Sequence, residues 1–201
     1  MTRLQKGLWA AVAVAALGAG ALAVTASRPP EVATSAESSV VAEFELTGHD
    51  GVVRTEEDIR GKWTLVFFGF TNCPDICPTT LAEIAGVMDD LGSQADAVQP
   101  LFISVDSDRD RPDALAEYVP QFHPSILGLT GTPEQIKAAA ASFKIFYERV
   151  PEDAAPDRYT MGHTSQVFLF DPDGGFVRLY GYDTPATEIT ADLRARIDAH
   201  G

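Results

Sequence analysis

Cysteine is nearly absent from this chain: 201 residues contain two, Cys73 and Cys77. So few thiols leave room for one redox or metal site and exclude a second one built from sulfur. Nor is the pair a structural staple, because a crosslink closing so short a segment removes little entropy from the unfolded chain. Basic residues are also scarce, with 15 Lys and Arg against 29 Asp and Glu and a formal net charge of -14. A chain this acidic does not neutralise phosphates, which excludes nucleic acid as a partner. Internal repeats are lacking, histidines number four, and low-complexity sequence is confined to one segment near the amino terminus.

What is present begins with a targeting segment. Arg3 and Lys6 precede an unbroken run of apolar and small residues from Leu8 to Val24. A cleaved signal peptide with its exit at Val24-Thr25-Ala26 fits this pattern, and so does an uncleaved anchor. The run exceeds a usual signal core and reaches the lower limit of about 17 to 25 residues for a spanning helix, which favours the anchor, with residues 1–24 inserted amino terminus inward. Residues 25–40, with Arg28-Pro-Pro and Ser35-Ala-Glu-Ser-Ser, cannot bury enough apolar surface to fold and read as a tether. Residues 41–201 suffice for one domain and leave no room for a second. Across the membrane a dithiol meets an oxidising compartment, so it is a working site or a disulfide unless something keeps it reduced.

The pattern of residues 41–201 is that of an α/β protein. Alternation over Val41 to Leu46, the turn His49-Asp50-Gly51 and the apolar Val52-Val53 predict a hairpin, with a short helix from Thr55. Lys62 to Gly69 is a continuous apolar run, the mark of a buried central strand, and leads straight into the cysteines. Pro78 at a first helical position, Thr80 and Glu83 at capping-box spacing, and Gly92 predict the helix that follows. Further strands are expected at Val98–Val105, Ile126–Leu129, Phe143–Tyr147, Gln166–Phe170 and Phe176–Tyr180. Helices are expected at Pro112–Phe122, from Thr132 through Ala141, and from Ala186, with Pro151 to Asp157 an acidic, mobile loop. Strands alternating with helices and ending in a hairpin and helix imply a sandwich with a mixed central sheet flanked by helices. A strand that runs into a cysteine pair at a helix start is the thioredoxin-like arrangement.

At such a helix start the free amide hydrogens favour negative charge, which lowers a thiol pKa and enlarges the thiolate fraction. Thiolate is both nucleophile and metal ligand. The three residues between Cys73 and Cys77 widen the loop relative to the two common in dithiol oxidoreductases. Both sulfurs can then face one ion, although a disulfide can still close. Two soft thiolates suit Cu(I) well and Zn(II) acceptably, and either needs a third ligand from elsewhere. His49 in a turn, His123 before Pro124 and the near-terminal His200 read as ordinary surface residues. His163, in Met161-Gly-His-Thr-Ser just before a strand, falls where a thioredoxin-like fold passes beside the cysteine loop, and reads either as a ligand or as a hydrogen-bonded structural histidine.

Three segments together resemble the Sco (SenC) family of membrane-anchored copper proteins that help assemble the binuclear copper centre of cytochrome c oxidase. They are Phe68-Gly-Phe-Thr-Asn-Cys-Pro-Asp-Ile-Cys-Pro-Thr-Thr-Leu81, Ser104-Val-Asp-Ser-Asp-Arg-Asp-Arg-Pro112, and His163-Thr-Ser followed by Phe168-Leu-Phe-Asp-Pro-Asp-Gly174. The resemblance spans the domain from Val41 and implies that Cys73, Cys77 and His163 hold one copper ion as Cu(I) or Cu(II). It further implies the copper-site subunit of the oxidase as partner, another copper chaperone as donor, and a bacterial cytoplasmic membrane with the domain facing the periplasm. Two positions depart from the family's habit. Gly162 stands where an aspartate commonly precedes the histidine, and Asn72 where a histidine or aromatic residue is common.

A rival expectation is a tethered thiol-disulfide reductase in which Cys73 attacks and Cys77 resolves; a weaker one is a peroxide-reducing or redox-signalling relative. Asp106, Asp108, Asp110 and Glu117 mimic a calcium loop, but Arg111 and Pro112 break that pattern, and the acids are expected to order a turn or cap a helix. Asp75 reads as a turn residue, Met161 as packing, and Phe67, Phe68 and Phe70 as core or site rim.

Overall fold

In the computed structural model, which describes residues 40–200, the buried run Trp63–Gly69 forms strand β3, and all seven of its residues are buried. A strand apolar on both faces needs cover on both, and the sheet order places it centrally. The strands β1 (Glu45–Gly48), β2 (Val53–Thr55), β4 (Val98–Ser104), β5 (Leu127–Thr130), β8 (Val167–Phe170) and β9 (Phe176–Tyr180) join it in the order β2-β1-β5-β4-β3-β8-β9. Strands β3, β4 and β5 run parallel, while β1 pairs antiparallel with β5 and β8 with β3. The sheet is thus mixed, as the sequence pattern implies.

Alternation along β3 divides the core into two layers. Leu65 and Phe67 face helix α1 (Ile76–Leu91), helix α2 (Pro112–Tyr118) and helix α4 (Ala186–His200) through Leu81, Ile84, Leu115, Ile189 and Leu193. Val66 and Phe68 face helix α3 (Pro133–Ser142) through Ile136, Ala139 and Ala140. Helices on both faces of a mixed sheet make the expected thioredoxin-like sandwich, with the β1–β2 hairpin on one edge. No helix among the described residues is long and apolar enough to cross a membrane; the expected anchor at 1–24 and all of the tether except Val40 lie outside them.

Three expectations are corrected. Helix α1 begins at Ile76, not Pro78, so Thr80 and Glu83 do not form its capping box. Thr80 instead donates to the carbonyl of Ile76, and the Glu83 carboxylate accepts from the Ala186 N–H, at the start of α4. Pro78 still lies in the first turn, where its missing N–H costs nothing.

The second correction concerns Phe143–Tyr147, whose alternating apolar residues imitate a strand. Helix α3 ends here in a Schellman motif: the Ile145 N–H donates to Ala140, the Lys144 N–H donates to Ala141, and Lys144 takes φ +57°. Phe143 and Ile145 are buried because this cap turns them into the core, and the strand β6 (Tyr147–Pro151) starts only at Tyr147.

The third is a strand that the sequence pattern hides. Tyr159–His163 forms β7, antiparallel to β6, in a two-stranded sheet of its own. The Pro151–Asp157 segment links the two strands, and the Glu152 N–H donates to the Arg158 carbonyl across its neck.

Lys144 holds a left-handed conformation that costs a residue with a Cβ about 1 kcal/mol. Lys144→Gly is therefore expected to stabilise the fold by about 0.5–1 kcal/mol, read as a higher urea unfolding midpoint with an unchanged slope. Lys144→Ala, which keeps the Cβ, gives no such gain.

Candidate metal centre

The three residues singled out from the sequence meet. One Sγ each from Cys73 and Cys77 and a ring nitrogen of His163 all lie within 4.8 Å of one another. Among the described residues this is the one group of three or more His, Cys, Asp or Glu side chains with ligand atoms so placed. Each donor arrives by a different route. Cys73 sits in the turn that leaves β3, its N–H donating to the Phe70 carbonyl at 3.3 Å. Cys77 is the second residue of α1 and fully buried, whereas His163 is the last residue of β7.

The close approach of β3 to the sulfur dictates one glycine. A Cβ on Gly69 would lie 2.9 Å from the Cys77 Sγ and 2.7 Å from the Phe102 ring, closer than packed atoms allow. Phe67 and Phe70 stand edge-on to the His163 ring, with centroids 6.1 and 5.8 Å away, and wall the inner side of the site. Its outer side opens on a cleft of about 330 Å³ lined by Cys73, Pro74, Ile76, Met161 and His163 among others.

Hydrogen bonding fixes the histidine tautomer. Nδ1 lies 2.9 Å from the Thr164 carbonyl, which can only accept, so Nδ1 carries the proton. In the neutral ring this leaves the Nε2 lone pair facing the Cys77 Sγ, 3.5 Å away. The two thiols are unlike. The Cys77 thiol's hydrogen bond, more than any other contact, draws the Cys73 pKa down to about 4 against the opposition of burial. The backbone N–H groups of Asp75 and Cys77 assist, the latter donating to Sγ at 3.4 Å. Cys77, holding the proton of that shared bond and buried, is pushed well above the ordinary thiol value. The helix-start argument therefore applies to Cys73 and fails for Cys77, whose sulfur lies in the core.

A match to the SCO1/SenC family extends over residues 32–198. The chain belongs to the SCO1/SenC family. It is 42% identical over 159 residues to the mitochondrial SCO2 homolog of Mus musculus, covering 78% of this chain and 62% of that protein. The chain thus spans less than two thirds of that relative's length. Among solved structures it is similar to Arabidopsis thaliana ScoI with copper bound, at 38% identity and TM-score 0.74, covering 80% of this chain and 99% of that one. It is also similar to BsSco, described by its disulfide switch as a member of the Sco family of cytochrome c oxidase assembly proteins, at 28% identity and TM-score 0.63, covering 78% and 93%.

Both departures from the family pattern now have surroundings. Gly162 faces away from the sulfurs, and a Cβ there would lie 3.5 Å from Cγ and 3.8 Å from a carboxylate oxygen of Glu148, its cross-strand partner. A carboxylate thus stands beside the position from the neighbouring strand. Asn72 is exposed and lies outside the donor group, so this departure removes no ligand.

The other candidates disperse. The His49 Nδ1 accepts from the Gly128 N–H, His123 bonds Ser125, and the His200 ring meets Trp63 edge-on. Asp75 is the exposed residue before α1, and Met161 packs against both core layers. Asp106 and Asp110 are buried and hydrogen-bonded to protein groups, while Asp108 is exposed and pairs with Arg149; these acids do not converge on a cation site. Sequence reasoning missed Tyr159 and Thr164. The alternation Tyr159, Met161, His163 is the signal that marks one inward face of a strand.

A half-buried Cys73 thiolate beside a buried Cys77 thiol predicts selective alkylation. At pH 6 an ordinary thiol is well under 1% ionised, on the order of 0.3%. The lowered pKa keeps Cys73 ionised there, so iodoacetamide is expected to label it at least about tenfold faster than Cys77. Peptide mass spectrometry of the reduced, metal-free protein reads the ratio; equal rates contradict the assigned asymmetry.

Proposed function

We propose that this protein is a copper chaperone that binds one ion through Cys73, Cys77 and His163 and supplies it to the copper-site subunit of cytochrome c oxidase. The convergence of two sulfurs and an imidazole lone pair within 4.8 Å carries this reading. An ion bonded at about 2.3 Å to each of two sulfurs allows them at most about 4.6 Å of separation, so small side-chain adjustments close the group on one ion. Soft thiolates with one imidazole suit copper, and three protein donors fall short of the four that structural zinc takes. The copper-bound relative of similar fold supports the choice of metal. The N-terminal segment would hold the domain at the bacterial cytoplasmic membrane facing the periplasm, with another copper chaperone as donor.

The residues present divide the work. Cys73, already a thiolate and half-exposed, is the donor that an incoming ion meets first and that a partner's thiolate displaces first. Cys77 must lose its proton to bind; the adjacent Nε2 is the base positioned to take it and must pass it on to solvent through the open cleft before that nitrogen can itself ligate. The phenylalanine walls keep water from the inner side, while the open cleft leaves one face for a partner's ligands.

The thiol asymmetry also favours a second reading, reduction of a partner disulfide. Cys73 would attack one partner sulfur and expel the other as thiolate. Cys77, deprotonated, would then attack Cys73 and release the second partner thiolate. Two electrons pass to the partner and a Cys73–Cys77 disulfide results. The disulfide switch described for BsSco accords with this chemistry.

Copper titration of the reduced protein separates the readings. One Cu(I) or Cu(II) per chain is expected, with a thiolate-to-Cu(II) charge-transfer band that His163→Ala weakens strongly and Cys77→Ser abolishes. Failure of the protein to retain either ion through desalting, together with rapid disulfide reduction, would sink the chaperone reading.

A further inference from the structure

The hairpin that delivers His163 is not part of the main sheet. Strands β6 and β7 pair with each other, and among the described residues neither is hydrogen-bonded into the seven-stranded sheet. Something else must hold His163 against the cysteines. Its own end is tied by pairing with Tyr147, by the Thr164 N–H donating to the Phe146 carbonyl and the Phe146 N–H donating to the Thr164 hydroxyl, and by the chain leading into β8. The opposite end of β7 is gripped by the turn that follows β4.

That grip centres on Tyr159, which is 4% exposed. Its hydroxyl donates to the buried Asp106 carboxylate at 2.9 Å, and its carbonyl accepts from Arg109 at 3.3 Å. Arg109 in turn donates to Asp106 at 2.5 Å. The Arg109 and Arg149 guanidinium carbons lie 3.8 and 3.5 Å from the Tyr159 ring centroid. Two guanidiniums that close to one ring occupy its two faces. Arg149 also pairs with Asp108 at 3.0 Å. That last pair is exposed and contributes little by itself, whereas the buried carboxylate bonds are charge-assisted and stronger.

The same turn grips the other half of the site. Asp110, fully buried, accepts from the Thr71 N–H at 2.9 Å and from the Thr71 hydroxyl at 2.5 Å, and Thr71 lies two residues before Cys73. Ser104 donates to Asp110 and accepts from the Asp106 N–H, which joins the two grips. Residues 104–110 are therefore one rigid bracket with the cysteine loop on one arm and the histidine strand on the other. Tyr159, Met161 and His163 share one face of β7, so the anchor at Tyr159 sets the register with which His163 meets the sulfurs.

From this geometry we infer that Tyr159, held by Asp106 and Arg109, is a positioning residue for His163: it fixes the imidazole over the cysteine pair without touching the ion. The inference rests on the copper reading above. It assigns the aspartate-rich turn a task distinct from calcium binding or helix capping, namely registering two ligand-bearing segments against each other. Groups that orient a metal ligand typically alter affinity by about 10–100-fold when removed.

Tyr159→Phe is the direct test, because it keeps the ring, its packing and both stacked guanidiniums and deletes only the hydroxyl that meets Asp106. Cu(I) affinity by chelator competition and the imidazole-nitrogen signature in the Cu(II) paramagnetic resonance spectrum are measured in four proteins: the parent, Tyr159→Phe, His163→Ala and the double variant. Urea unfolding of each metal-free protein accompanies them. The expected result is about a tenfold loss of affinity and a weakened nitrogen signature for Tyr159→Phe in the parent, and no added loss in the His163→Ala background. Asp106→Asn should give the same His163-dependent loss. An equal loss in both backgrounds, or a drop in stability with unchanged affinity, shows a purely structural role and overturns the inference. No loss for Tyr159→Phe while His163→Ala weakens binding also overturns it and leaves the copper reading standing. If His163→Ala itself changes nothing, the copper reading and this inference fall together.

Discussion

Two-sided burial of β3 is the constraint from which the rest of the molecule follows. A strand with no polar face must lie in the middle of a sheet with helices above and below, and here the parallel partner β4 and the antiparallel β8 complete it. Its carboxyl end therefore emerges where α1 starts, inside an apolar shell rather than at an open edge. Gly69 lets the Cys77 sulfur approach that exit, and Phe67 and Phe70, on and just beyond the strand, wall the imidazole. The core and the cysteine half of the site are built from the same residues, so the cysteine loop is seated on the sheet, while His163 comes from a hairpin outside it.

Burial also makes the two thiols different, and the difference is chemically useful. Cys73 at the surface receives hydrogen bonds and ionises, while Cys77 beneath it supplies one of them and keeps its proton. One shared hydrogen bond thus creates a reactive sulfur and a protected one. Transfer of a soft metal and reduction of a disulfide both require stepwise entry, first of one sulfur and then of the other. A single dithiol with this asymmetry suits either, which is why the sulfurs alone keep the two readings close; only a copper site has a use for the histidine as a ligand.

Much of this was legible in the chain. The continuous apolar run before Cys73 announced the central strand, and the three residues that the family resemblance grouped, Cys73, Cys77 and His163, are the three whose ligand atoms the fold brings together. What escaped has specific causes. Phe143, Ile145 and Tyr147 alternate like a strand because a Schellman cap also places apolar residues two apart, and only the left-handed Lys144 tells them apart. Thr80 and Glu83 have capping-box spacing within a helix that begins earlier, and Glu83 serves a different helix more than one hundred positions away, a long-range use no local pattern contains. β7 is short, interrupted by Gly162, and anchored by side chains from a distant turn rather than by the main sheet. Asp106 and Asp110 looked like members of one cluster, yet folding sends their carboxylates to different partners.

The way the imidazole is oriented bears on how firmly an ion would be held. Nδ1–H donates to a backbone carbonyl, that of Thr164, and the nearest change from the family's habit, Gly162, leaves the adjacent acid, Glu148, on the other strand of the hairpin and off the Nδ1 position. A carboxylate acceptor would fix the same tautomer and in addition push electron density into the ring, raising its basicity as a ligand. A neutral carbonyl fixes the tautomer with less of that enrichment. Orientation is thereby separated from strength: the ring points correctly, yet its bond to a soft ion gains less. In the proposed transfer, the consequence is that this nitrogen bond adds less to holding the ion once a partner's thiolate has displaced Cys73.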